Sequence, residues 1–180
     1  MNTSDCILLA VLLAFSAYFS ASETALSTVN KIRLKSYADN GSKKAKLALD
    51  IAENYDRTLS TILVGNNVVN TASAALMTTV TTALFGASGA VIATAVTTVL
   101  VLIFGEILPK TYGKENSEKL ALTIAGPMHF LIVLLTPVVS IFQLLQRAMV
   151  RLCSKGDKIP SVTEEELKYI LDTIEEEGKD

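Results

Sequence analysis

The sequence predicts an all-α, polytopic membrane domain. Three observations point there. Half of the 180 residues are hydrophobic and the mean hydropathy is +0.42. Apolar runs long enough to cross ~30 Å of hydrocarbon at ~1.5 Å per residue recur along the chain. Charge is strongly segmental: 31–57 and 147–158 are mostly basic, and 164–180 carries eight acids against two lysines. The formal net charge of −2 therefore says little as a sum. Cys6 and Cys153 fall at opposite ends without a CxxC spacing and read as unpaired thiols. The single histidine, His129, excludes HExxH zinc chemistry and argues against a Ser-His-Asp site, so no enzyme is expected.

Residues 5–28 form the first predicted span. A signal peptide would carry a positive n-region, whereas the only charge ahead of this apolar core is Asp5. Ser16, Ser20, Glu23, Thr24 and Ser27 recur every three or four residues and share a helical face, with Ser22 opposite. The basic segment 29–57, with Lys31, Arg33, Lys35, Lys43, Lys44, Lys46 and Arg57, is cytoplasmic by the positive-inside tendency, which puts the N-terminus outside. Within it, Lys43 to Tyr55 has the periodicity of a short amphipathic helix.

Residues 58–84 form the second span and carry the unusual stretch Gly65-Asn66-Asn67-Val68-Val69-Asn70. Asn66, Asn70 and Ser73 share a face, while Asn67 points about 100° away. Phe85 to Gly89 is a turn, and residues 90–108 return as the third span. Pro109 should end or kink that helix and free carbonyls beside Glu106. Residues 120–145 are long enough to cross but hold Pro127 and Pro137. Two basic clusters on the same side require an even number of crossings between them. The interrupted segment is therefore expected to be a broken re-entrant or juxtamembrane helical pair, leaving three full spans. Ser161-x-x-Glu164 then caps an acidic cytosolic helix. This divides the chain into a transmembrane domain with a juxtamembrane belt at 1–158 and the start of a further segment at 159–180, with a cytoplasmic C-terminus.

Three polar groups lie in the apolar runs: Ser20-Ala21-Ser22-Glu23-Thr24, Gly65-Asn66-Asn67-x-x-Asn70 and Gly105-Glu106-x-x-Pro109-Lys110. All their donors are oxygen, which suits Mg²⁺, Ca²⁺ or Na⁺ rather than zinc, copper or iron. Singly, intramembrane Ser, Thr and Asn mostly bond their own helix or hold helices together. An intramembrane carboxylate costs more, which favours function for Glu23 and Glu106.

Together, in this order and spacing, the three motifs resemble the membrane domain of the CNNM/CorC (CorB) magnesium transporters. The resemblance implies a homodimer with a juxtamembrane belt, a dehydrated Mg²⁺ site among the spans, and Mg²⁺ export coupled to Na⁺ entry. Carried over by motif, the ion-site positions are Ser20, Asn66, Asn70 and Glu106, with Ser22 and Glu23 beside them and Gly65, Gly105 and Lys110 flanking. Such proteins continue into CBS modules that bind ATP with Mg²⁺, and this sequence stops before them. The rival reading is a membrane-anchored sensor or scaffold whose polar residues only hold helices together.

Overall fold

The computed structural model describes residues 3–153, with the side chains of Gln146, Arg147 and all residues from 150 onward excluded. The predicted acidic helix lies outside the described residues. Helix α1 spans Thr3–Thr28, α2 Lys31–Asp39, α3 Lys43–Glu53 and α4 Tyr55–Phe85. After a single 3₁₀ turn come α5, Gly89–Leu100, a π-helical turn at Val101–Ile107, α6, Leu108–Glu115, and α7, Ser117–Cys153. Among the described residues every element is helical. This is an all-α membrane domain.

Continuous helical stretches long and apolar enough to cross a membrane are Thr3–Thr28, Tyr55–Glu115 and Ser117–Leu145. The middle one doubles back at Gly86, whose φ of +63° is a conformation glycine adopts without steric cost. Gly89 then lies so close to the Thr81 carbonyl that a Cβ there would overlap it. The two helices stay packed along the hairpin and line one cleft together, with Asn70, Ala74 and Thr78 from α4 and Ala93, Thr94 and Thr97 from α5. Helices α4 and α5 are thus antiparallel, as the Phe85–Gly89 turn predicts.

The segment expected to be a broken pair is instead one helix, α7, running through both Pro127 and Pro137. Its first half packs Ala121, Ile124, Ala125, Met128 and Ile132 into a core with Phe19, Leu26, Leu34, Ile51 and Ile62. Both prolines lie on the exposed side of the helix. Each removes a single backbone bond, while a break in an apolar environment would strand several polar groups. By length and composition α7 is as able to span as α1.

The basic segment folds as the α2–α3 pair. Asn30 and Ser42 cap the two helices by accepting from the backbone amides of Arg33 and Ala45. Helix α3 buries Ala45, Ala48, Ile51 and Ala52, as its periodicity predicts. Arg33 reaches Glu118 on α7 at 2.8 Å, which ties the belt to the last helix.

Candidate ion site

Helix α1 carries the serine stripe, and glycines on its neighbours let that stripe press close. A side chain at Gly65 would overlap the Phe19 ring. A Cβ at Gly105 would sit 2.7 Å from Ser16 Oγ, and one at Gly113 2.6 Å from the Ala21 carbonyl oxygen. Small residues at helix crossings permit this approach. At the crossing, Ser16 Oγ donates to Asn66 Oδ1 at 3.1 Å. Ser16, Asn66 and Gly105 therefore bring α1, α4 and the π-turn to one point.

The π-turn has a local cause. Pro109 has no N–H to give, and in an α-helix its ring would collide with the carbonyl of Gly105. The chain widens over Val101–Ile107, and the Leu108 amide bonds the Ile103 carbonyl five residues back. Of the two outcomes the sequence allows, an end or a distortion, the helix does not end at Pro109 but passes through the π-turn and resumes as α6. Such turns occur often at functional sites.

A cleft of about 400 Å³ opens between α4, α5 and the π-turn, with Asn70, Thr97, Val101 and Glu106 in its lining. Asn70 Oδ1 and Thr97 Oγ1 are buried without a hydrogen-bond partner, as is Ser20 Oγ on α1. Each uncompensated group costs about 1–3 kcal/mol. The contrast with other buried hydroxyls is direct: Ser22, Thr58, Thr61, Ser73 and Thr81 all donate to the carbonyl four residues back.

Of the residues the sequence singles out, Asn70 and Glu106 meet in this cleft. Asn66 lies one turn from Asn70 and is engaged by Ser16. Ser20 is fully buried, one turn along α1 from Ser16, and is not among the cleft-lining residues. Ser22, expected on the opposite face, is also buried, because both α4 and α6 pack on α1; its hydroxyl donates to the Tyr18 carbonyl at 2.6 Å. Lys110 pairs with Glu23 at 3.4 Å rather than with Glu106. Gly65 and Gly105 act through close packing. Asn67 is exposed and bonds the Leu63 carbonyl.

Sequence reading left two residues out of the site. Ser16 could have been found, since it precedes Ser20 by four on the stripe. Thr97 could not, because nothing in the sequence separates it from Thr94 and Thr98. Chemically the cleft offers one carboxylate and neutral oxygens, a donor set for a hard cation. Among the described residues no three His, Cys, Asp or Glu side chains converge.

The chain matches the cyclin M transmembrane N-terminal domain family (CNNM) over residues 7–180. The UPF0053 inner membrane protein YfjD of Escherichia coli is 39% identical over 163 residues, which cover 87% of this chain and 37% of that protein. A chloroplastic DUF21 domain-containing protein of Arabidopsis thaliana, At1g55930, is 35% identical over 97% of this chain and 28% of its own length. A UPF0053 protein of Haemophilus influenzae is 35% identical over 92% of this chain and 40% of its own. The chain spans well under half the length of each of these relatives.

Proposed function

The chain belongs to the cyclin M transmembrane-domain family, and from that premise we propose that it moves Mg²⁺ across a membrane through an intramembrane oxygen site. The observation that carries this reading is the unpartnered Asn70 Oδ1 on a residue that lines the same cleft as Glu106. A buried amide oxygen without a donor is costly alone and becomes useful when a cation supplies the missing positive charge. Glu106 would neutralise half the charge of a divalent ion. The residual positive charge keeps binding weak enough for release, as transport requires.

In this reading Asn70 and Glu106 are the primary ligands. Ser20, whose hydroxyl is buried without a partner one turn from Ser16, is the further oxygen that α1 offers. Asn66 keeps a second lone pair on Oδ1 and joins the cage without losing Ser16. Ser22 is bound to its own helix and contributes only through its remaining lone pairs. Glu23 and Lys110 neutralise each other at the α1–α6 contact. The basic α2–α3 pair sits on the cytoplasmic side, the N-terminus outside, and the working unit is a homodimer exporting Mg²⁺ against Na⁺ entry.

Reconstituted protein in Mg²⁺-loaded liposomes tests the proposal. Asn70→Ala and Glu106→Gln should each lower Mg²⁺ efflux at least tenfold while folding is retained. Efflux within twofold of wild type in both would overturn it. The Ser16–Asn66 bond favours a second reading, a membrane scaffold in which carboxamides bind helices together. That reading predicts loss of thermal stability without any Mg²⁺-dependent stabilisation or flux in the parent protein.

A further inference from the structure

The cleft does not stop at Asn70 and Glu106. From Glu106 it continues along α5 past Thr98 and Thr97 to Thr94, and along α4 from Asn70 to Thr78. Nine residues separate Glu106 from Thr97, roughly 13 Å of helix. This trough runs from the candidate site towards the Gly86 turn, the end of the hairpin opposite the α2–α3 belt. Its hydroxyls are not equivalent. Thr78 and Thr94 donate to the carbonyls of Ala74 and Ala90. Thr97 is only 6% exposed, lines the cleft, and leaves Oγ1 with no partner. A helical threonine has a ready alternative, since a χ1 rotation brings Oγ1 onto the i−3 or i−4 carbonyl. Thr97 does not adopt it.

We propose that the outer half of this cleft is the cation's path between the Asn70–Glu106 site and the membrane face at the Gly86 turn, with Thr97 as its hydroxyl contact. The inference builds on the transport reading and adds a route to it. A hydroxyl oxygen is a hard, neutral ligand. It can replace one water of a partly hydrated Mg²⁺ without holding the ion, as a passage point must. Asn70 and Thr97 both line this trough, one from α4 and one from α5, and each holds a buried oxygen with no partner in the protein itself.

The test is Mg²⁺ efflux from liposomes by the full chain carrying Thr97→Val, which keeps the shape and removes the oxygen, beside Thr97→Ser, which keeps the oxygen. Thr97→Val should lower efflux at least tenfold and leave Mg²⁺-dependent thermal stabilisation unchanged; Thr97→Ser should stay within twofold of wild type. Efflux by Thr97→Val within twofold of wild type, while Glu106→Gln is inactive, overturns the path and leaves the transport reading standing. Absence of efflux from wild type fails that reading itself and the path with it. Should Thr97→Val not fold, Thr97→Cys in a Cys6→Ser, Cys153→Ser background decides. Modification by a small water-soluble thiol reagent, slowed by Mg²⁺, supports the path, and a thiol that does not react overturns it.

Discussion

Consider Gly105→Ala. The new Cβ would lie 2.7 Å from Ser16 Oγ, 3.3 Å from Ser16 Cβ and 3.5 Å from Val101 Cγ1. Ser16 is fully buried, so its hydroxyl has nowhere to retreat without cost. If χ1 of Ser16 rotates, the 3.1 Å bond to Asn66 breaks. An interhelical bond in a membrane is worth about 0.6 kcal/mol, and an abandoned buried acceptor costs about 1–3 kcal/mol. If α1 moves off instead, the cost is that of overpacking, again about 1–3 kcal/mol. Alanine's helix propensity returns about 1 kcal/mol. The net expectation, set by the less costly route, is a loss of up to about 2 kcal/mol. Ser16→Ala removes the nearer atom, so the double variant should be at least ~1 kcal/mol more stable than the two single losses predict. Reversible unfolding in mixed micelles measures all four corners of the cycle. Additivity within about 0.5 kcal/mol would refute the contact between the π-turn and α1.

Gly113→Ala meets the Ala21 carbonyl oxygen at 2.6 Å, which is backbone and cannot rotate away. It should cost more than Gly105→Ala, about 2–3 kcal/mol by the same unfolding assay, and no side-chain change on α1 should rescue it. Thr58 Oγ1 donates to the Ile51 carbonyl at 3.0 Å and closes an unsatisfied end of α3. Thr58→Val should lose about 1–2 kcal/mol and raise hydrogen exchange at the C-terminal turn of α3. Pro137→Ala on the exposed side of a continuous α7 should leave stability unchanged or raise it, with a protected amide at 137; a loss above about 1 kcal/mol would show that α7 needs its proline.

Much of the site was legible because helical period sorts residues by face. Asn66 and Asn70 were separable from Asn67 on spacing alone, and the exposed position of Asn67 agrees. Periodicity fails where a helix has two buried faces. Ser22 was assigned outward because one stripe was assumed, yet α1 is packed by α4 on one side and α6 on another. Helix α2 has only Leu34 fully buried and so gives no amphipathic signal; its caps had to be seen. The prolines of α7 misled for a different reason. In water a proline ends a helix because solvent can take the freed carbonyl, whereas an apolar surround leaves continuation as the less costly course.

The position of the site follows from Gly105, Glu106 and Pro109. Adjacent residues on a helix differ by about 100°, so two neighbours can serve two interfaces. Gly105 takes the side against Ser16, where only a glycine fits, and Glu106 then faces the α4–α5 cleft. Pro109, four residues beyond Gly105, forces the wide turn and withholds an N–H at the same level. Glu106 and Asn70, whose amide oxygen is unpartnered, line one cleft beside this turn. A carboxylate and an unpartnered amide oxygen are both costly in a helix that only spans a bilayer. Under the proposed transport reading a cation would compensate them, while the Ser16–Asn66 bond beside them holds α1 to α4.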